Sequence, residues 1–338
     1  MRVLVVNAGS TSLKLAVVDE EDSTKAVESL AETPDDVAAV GHRIVHGGTR
    51  FREPVLLDGG VERELQALVA LAPLHNRPAL DAIRTVRRAL PGVPHVAVFD
   101  TAFHGTLPEE AYTYPLPLRL RDWGGIRRFG FHGLSVEWAA SQVRVPRLVV
   151  CHLGGGCSVT AVLDGRSVDT SMGFTPLDGV PMATRAGAID PGILLHLLRT
   201  EWTVDDIDRL LEHESGLAGV SGISGDVREL EASSEPGAGL ALGLLARGVA
   251  KWVAGAATSL GGLDALVFTG GIGEHSARVR ADVCACLAVL GVQLDPVANE
   301  AVRFDCDVNT LGSRVRIAVV RAREELVIAQ AVRELVSS

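Results

Sequence analysis

Two arginines stand where a guanidinium could meet an anion. Gly41-His42-Arg43-Ile44-Val45-His46-Gly47-Gly48 sets Arg43 between a glycine and a glycine pair, and Met182-Ala183-Thr184-Arg185-Ala186-Gly187 gives Arg185 a similar setting. The planar fork of arginine suits carboxylate and phosphate oxygens, although either residue alone also reads as an ordinary surface arginine. Asp100 closes the apolar run Val98-Phe99, and a carboxylate at the C-terminal end of a strand commonly faces the site of an open α/β sheet. Phe129-Gly130-Phe131-His132-Gly133 places one histidine among aromatics and glycines, where a satisfied core histidine is the competing reading.

Three small-residue turns could hold phosphates. Asn7-Ala8-Gly9-Ser10-Thr11-Ser12-Leu13-Lys14 offers amide N–H groups, hydroxyls and one of only three lysines in the chain; such a turn can cradle phosphate oxygens, with Lys14 as a point charge. His152-Leu153-Gly154-Gly155-Gly156 is sharper, because consecutive glycines cost chain entropy unless something approaches the backbone closely. In Thr269-Gly270-Gly271-Ile272-Gly273-Glu274 a buried-type strand runs into glycines, with a helix expected from Ser276, a layout whose amides bind anions. The pattern G-x-x-x-x-G-K-[ST] is absent and no G-x-G-x-x-G opens a helix after a first strand. Any nucleotide must therefore be held by another device, and three turns of this kind are a workable one. Ser224-Gly225-Asp226-Val227-Arg228 and Arg323-Glu324-Glu325 carry little weight by themselves.

The elements that must position these residues show an internal echo. Val5–Asp19 and Val149–Asp164 share one grammar: apolar strand, turn of glycine and serine, second strand, aspartate. Strand–tight turn–strand is a hairpin signature, and two such hairpins suggest one fold used twice with a ligand between the copies; two unrelated hairpins are the alternative. Helical periodicity covers 62–72, 78–90, 190–200, 203–213, 238–260, 276–290 and 324–336. Short apolar strands at 94–99, 147–151, 265–269 and 315–320 alternate with these helices, which gives an α/β class.

Bulk properties narrow the function. A chain of 338 residues favours two domains. A net charge of −10 argues against a general nucleic-acid footprint. The apolar start Val3-Leu4-Val5-Val6 is too short for a signal peptide, and no uninterrupted apolar run of about 18 residues predicts a membrane span. The five cysteines are odd in number and lack paired metal-site spacing. A cytoplasmic location is expected.

In order along nearly the whole chain, these stretches resemble the acetate kinase family, the acetokinase branch of the actin-like ATPase superfamily. The matching segments are Asn7–Lys14, Gly41–Gly48, Ala72–Asn76, Val98–His104, Phe129–Gly133, Cys151–Gly156, Asp169–Pro176, Thr184-Arg185, Gly225–Arg228, Thr269–Glu274 and Glu324-Glu325. The resemblance implies two similar actin-like (RNase H-like) α/β domains with a cleft between them: residues 1–99 plus 326–338 as a trimmed N-terminal domain, and 100–325 as the nucleotide-binding one. It implies reversible in-line transfer of the ATP γ-phosphate to acetate, giving acetyl phosphate and ADP. Asn7 and Glu324 then match the positions of a Mg²⁺ site, with Mn²⁺ as the other candidate ion. Lys14 matches an ATP contact, and Arg43 and Arg185 the pair that grips the carboxylate and the migrating phosphoryl group. His132 matches the transition-state stabiliser, His75 a supporting histidine, and Asp100 an essential aspartate that acts on a proton or on the metal. His152, Leu153, Gly154, Gly155 and Gly156, then Asp226, Val227 and Arg228, then Gly270, Gly271, Ile272, Gly273 and Glu274 match the ATP-binding segments. Val45, Leu74, Phe131 and Pro176 match a small apolar pocket for the acetate methyl. A homodimer is implied, with no nucleic-acid or membrane partner.

The chemistry stands without the resemblance. A carboxylate nucleophile titrates near ~4 and needs no general base at neutral pH; it needs relief of repulsion between two anions, and phosphoryl transfer is largely alignment and charge neutralisation. On that ground Asp100 is expected to orient a metal rather than move a proton. Four residues depart from the family pattern: Gly155 for an asparagine, Val136 for a histidine, Ala183 for a glycine and Arg323 for an asparagine. The chain is also shorter than typical members, the difference falling between Asp19 and Gly41. A propionate or butyrate kinase, an actin-like ATP-binding protein without acyl kinase activity, and an inactive paralogue are the other readings.

Overall fold

The computed structural model describes residues 1–8, 13–71, 73–120 and 125–337. The chain divides into two compact units. One comprises residues 1–105, 131–138 and 323–338, the other residues 106–130 and 139–322. Residues 131–138 lie far along the chain from 1–105 and yet pack with them, because Gly133 N–H donates to the Asp100 carbonyl at 2.9 Å and the His104 ring bonds the Phe131 carbonyl at 3.0 Å.

The first unit is built on six strands: β1 (Val3–Ala8), β2 (Leu13–Val18), β3 (Thr24–Val27), β4 (Ala39–Ile44), β5 (Val55–Leu56) and β6 (His95–Phe99). Their order in the sheet is β3-β2-β1-β4-β6-β5. β1, β2 and β3 form an antiparallel meander, β4 and β6 run parallel to β1, and β5 returns antiparallel. Alternation splits the sheet into two faces. Leu4, Val6, Val40, Ile44, Ala97 and Phe99 pack under helices α1 (Gly59–Ala67) and α2 (Pro73–Ala89). Val3, Val5, Ala39, Val96 and Val98 meet Leu326, Ile328, Ala329 and Val332 from the far end of the chain.

The second sheet repeats the plan. β7 (Arg147–Leu153), β8 (Cys157–Leu163) and β9 (Arg166–Thr170) form the meander; β10 (Ala265–Thr269) and β12 (Arg316–Val319) run parallel to β7, and β11 (Cys306–Asp307) is antiparallel on β12. Its order, β9-β8-β7-β10-β12-β11, is the first sheet's order with each strand replaced by its counterpart. The echo of the two hairpins is thus one topology used twice. Between β6 and β7 come α3 (Glu109–Tyr112) and α4 (Gly133–Gln142). After β9 follow α5 (Pro191–Leu198), α6 (Val204–His213), α7 (Gly216–Ser221), α8 (Val227–Ala232) and α9 (Pro236–Ser259). α10 (Gly270–His275), α11 (Ala277–Cys286) and α12 (Pro296–Glu300) follow β10, and α13 (Glu324–Ser337) follows β12.

Helix α9 is long and apolar enough, by length and composition, to cross a membrane, and half of its most apolar stretch is buried inside the unit. Ala241, Leu242, Leu245, Val249 and Val253 are among its buried residues, and the helix packs on β7, β8 and β9. It is the core helix of this unit. The helix expected from Ser276 is α11, with Ser276 as its N-cap, the hydroxyl accepting from Val279 N–H at 2.9 Å; the short helix α10 precedes it directly after β10.

Candidate active site

At the C-terminal ends of β1, β4 and β6 the first unit gathers four polar side chains. Arg43 donates from Nε to Asp100 Oδ1 at 2.8 Å and from Nη2 to Asp100 Oδ2, so one carboxylate takes two N–H groups in the fork geometry arginine favours. Nη1 donates to Asn7 Oδ1 at 3.1 Å, and Glu324 Oε2 lies 3.6 Å from Nε. Asp100 is 1% exposed, while Arg43 and Glu324 keep a sixth to a fifth of their side-chain surface. Burial pushes the Asp100 carboxyl up to about 6 and Glu324's charge adds to this, while Arg43 opposes the rise. Burial also acts to lower Arg43, but the two carboxylates outweigh it and raise its pKa above the ordinary value.

Local sequence explains the convergence. Residues 39, 41 and 43 share the face of β4 that α13 covers, and a Cβ on Gly41 would lie 2.5 Å from Ile328 Cγ2 and 2.9 Å from Val332 Cγ2. Glycine lets the helix come down onto the strand, and with it Glu324 in the first helical turn. Lys14 pairs in register with Asn7, on the same sheet face, and is exposed; residues 9–12 between them lie outside the described residues. His132 adopts a left-handed backbone (φ 59°), uncommon for a residue with a Cβ. The next residue must be glycine, since a Cβ at Gly133 would lie 2.2 Å from the Asp100 carbonyl oxygen. Val45 and Phe131 are buried, and the Phe131 ring stands edge-on to His46 with centroids 5.4 Å apart. Leu74 and His75 fall in α2, but their side chains lie outside the described residues.

The second unit holds a cavity of about 680 Å³ lined by Gly154, Gly155, Asp226, Arg228, Glu231 and Gly271, among others. The hairpin turn Gly154–Gly156 abuts the turn after β10, since a Cβ on Gly154 would lie 3.9 Å from Gly271 N. Gly270 (φ 77°) could not be replaced, because a Cβ there would meet the Leu153 carbonyl at 2.7 Å; Gly155 and Gly271 meet nothing within 4 Å. Glu274 turns inward: its Oε1 accepts from Gly270 N–H at 3.1 Å and Ala322 N–H at 2.9 Å, locking the turn. Asp226 caps α8 through Arg228 N–H at 2.9 Å and pairs with the Arg228 side chain, which lowers its pKa to about 2. Val227 is buried behind them, Ile272 lines the cavity, and His152 and Leu153 end β7. Arg185 donates to the Pro176 carbonyl at 3.2 Å and lies 3.7 Å from Glu212.

A family model, the Acetokinase family, matches residues 28–330. The chain belongs to this family. It is 48% identical over 318 residues to the acetate kinase of Synechococcus sp. (strain JA-2-3B'a(2-13)), covering 91% of this chain and 79% of the relative. It is 38% identical to that of Methanosarcina thermophila, covering all of this chain and 98% of the relative, in an alignment of 398 positions. Among solved structures, a propionate kinase from Francisella tularensis subsp. tularensis SCHU S4 superposes with TM-score 0.92 at 36% identity over 98% of this chain and 99% of that one. The acetate kinase from Entamoeba histolytica superposes with TM-score 0.91 at 31% identity over the whole of both chains. The two-domain actin-like fold is that of the family.

Two positioning residues of this acetokinase were invisible to sequence reasoning. Arg280 is 1% exposed and donates from Nη1 to the carbonyls of Gly273 and Glu274, both at 2.9 Å, while Asn299 accepts its other N–H groups. It pins the glycine turn after β10 from below, yet in Ala277-Arg278-Val279-Arg280 it reads as solvent-facing. Glu212, beside Arg185, lies in α6, whose charged residues read as one exposed face.

Proposed function

We propose that this protein catalyses the reversible in-line transfer of the γ-phosphoryl group of ATP to acetate, yielding acetyl phosphate and ADP. The observation that carries the reading is the Asn7–Arg43–Asp100–Glu324 cluster at the strand ends, in a chain of the acetokinase family. Arg43 holds the acid anion. Asp100 fixes the guanidinium plane, so the fork is oriented before substrate arrives and its ordering entropy is already spent. Acetate is ionised at neutral pH and attacks without a base; cationic groups quench the repulsion between it and the triphosphate. In this reading Arg185 meets the phosphoryl group and His132 donates to its oxygens. Val45, Leu74, Phe131 and Pro176 enclose the methyl group, with His75 in support. Lys14, His152–Gly156, Asp226–Arg228 and Gly270–Glu274 hold ATP.

Counted at neutral pH, Arg43 with Asp100 and Glu324 leaves one net negative charge, and the oxygens of Asn7, Asp100 and Glu324 are hard donors. That set fits Mg²⁺, or Mn²⁺ in its place. Asn7 and Glu324 are the proposed ligands; the ion, when bound, neutralises charge on the phosphate oxygens. Among the described residues no group of three or more His, Cys, Asp or Glu side chains is placed to hold a metal ion.

The protein is proposed to be cytoplasmic and homodimeric. Helix α5 exposes Ile193, Leu195 and Leu198 by about half, with Trp202 close behind, an apolar strip suited to a second copy. The superposition on a propionate kinase favours propionate as the second reading of the acid; one methylene in an apolar pocket is worth only about 1–3 kcal/mol. A hydroxamate assay for acyl phosphate, with MgATP and acetate, propionate and butyrate in turn, tests the assignment. The highest kcat/KM is expected for acetate, and no acyl phosphate from any acid refutes the reading.

A further inference from the structure

The nucleotide cavity has an acidic wall that none of the roles above uses. Glu231, in α8, lines it beside His275 and Ser276. Ser276, 6% exposed, donates its hydroxyl proton to Glu231 Oε1 at 2.5 Å while the same oxygen accepts from Val279 N–H. One carboxylate oxygen is thereby fixed by a side chain that is itself fixed by a helix cap. Among the described residues Glu231 forms no ion pair; Arg228, three residues away, is taken by Asp226. An ionised carboxylate only accepts hydrogen bonds, so the wall asks for a ligand with hydroxyl or amino donors.

Position narrows the choice. Ser276 follows the six-residue helix α10, which places it about 9 Å along the axis from the glycine turn at Gly270. That spacing suits the step from a nucleotide's phosphates to the hydroxyl edge of its sugar. Adenine fits the carboxylate poorly, since its ring N1 is an acceptor beside the single amino group. Resting on the reading that ATP occupies this cavity, we propose that Glu231 accepts hydrogen bonds from the ribose 2′- and 3′-hydroxyls and makes the enzyme select ribonucleotides. Ser276 is the positioning residue that aims it.

Calorimetric binding of ADP, 2′-deoxyADP and 3′-deoxyADP to the wild type, Glu231→Gln and Glu231→Ala tests this. A hydrogen bond to a charged acceptor corresponds to about tenfold in affinity. The wild type is expected to bind at least one deoxy analogue about tenfold more weakly than ADP. Glu231→Ala is expected to bind all three alike, and Glu231→Gln, whose amide oxygen still accepts, to keep part of the preference. Equal wild-type binding of all three, or a preference unchanged in both variants, overturns the proposal. So does a guanine-over-adenine preference that depends on Glu231 while the sugar preference does not. Acyl phosphate measured on the same preparations separates the two claims. A wild type that discriminates between sugars without forming acyl phosphate ends the kinase reading alone; one that forms it equally well from ATP and both deoxy analogues ends this one alone.

Discussion

At the scale of single residues, Arg43 is an instrument of two carboxylates and an amide, and this makes a sharp expectation. Asp100 acts through the guanidinium it clamps, so the effects of removing either should not add. Arg43→Ala is expected to lower kcat/KM for acetate by at least 100-fold while ATP still binds, and Arg185→Ala to slow turnover severely in the same way. Asp100→Asn should fall between, and the double variant Arg43→Ala/Asp100→Asn should be no slower than Arg43→Ala alone. Strictly additive losses, measured by steady-state kinetics, refute the clamp. Gly155 offers the opposite experiment. The sequence resemblance sets it against an asparagine of the family pattern, and a Cβ there meets nothing within 4 Å. Gly155→Asn should therefore fold normally and lower the KM for ATP several-fold; a loss of stability, read as a fall in Tm, contradicts the open geometry.

At the scale of elements, what matters is how closely a helix can lie on a strand. Gly41→Ala forces α13 off β4, because the nearest atom belongs to a stiff β-branched side chain. The expected destabilisation is about 1–3 kcal/mol, with a raised Mg²⁺ requirement as Glu324 withdraws. Adding Ile328→Ala should restore the Mg²⁺ dependence of Gly41→Ala, although it opens a cavity of its own. Urea titration and activity against Mg²⁺ concentration check the two halves separately. Elements also show what the sequence could and could not disclose. The long helices and the apolar strands 94–99, 147–151, 265–269 and 315–320 appear near their expected places, because their periodicity is uninterrupted. β4 was legible only as a glycine-flanked motif, since Gly41, His42 and Arg43 break its apolar pattern. Helix α4 went unread because Leu134, Val136 and Ala139 are buried beside the buried Ser135, leaving no clean polar face. Of the candidate site, Asn7, Arg43, Asp100 and Glu324 were named from sequence and are joined by hydrogen bonds and ion pairs in the first unit. Arg280, Glu212 and Glu231 were not, because their meaning lies in tertiary contacts that no spacing encodes.

At the scale of the whole molecule, buried histidines set the response to acid. His42 Nε2 lies 2.9 Å from His95 Nδ1, and His95 Nε2 lies 2.9 Å from the Leu90 carbonyl. The carbonyl accepts only, so His95 is protonated at Nε2 and His42 donates to Nδ1. Burial holds His42 down to about 3, helped by His95, and holds His104 down to about 4. In the unfolded chain both titrate near 6.5, so the stability they contribute is complete above that pH and is lost as pH falls towards 4. Asp100 works the other way between its unfolded 3.8 and about 6, because its native form binds the proton more readily. The net expectation is a fall of roughly 3 kcal/mol in unfolding free energy from pH 6.5 to 4.5. Urea midpoints across that range test it, and His42→Gln should roughly halve the histidine share. A flat profile discards the account.

The first unit draws its strands from early in the chain and its last helix from residues after the whole second unit. During synthesis, Val3, Val5, Ala39, Val96 and Val98 must therefore wait, uncovered, while more than half the polypeptide is still being made, until Leu326, Ile328, Ala329 and Val332 emerge to cover them. Glu324 arrives with the same helix. The ribosome thus delivers this third partner of Arg43 only after the second unit has been translated, and a nascent chain stalled before it presents a greasy sheet face to chaperones and to its neighbours.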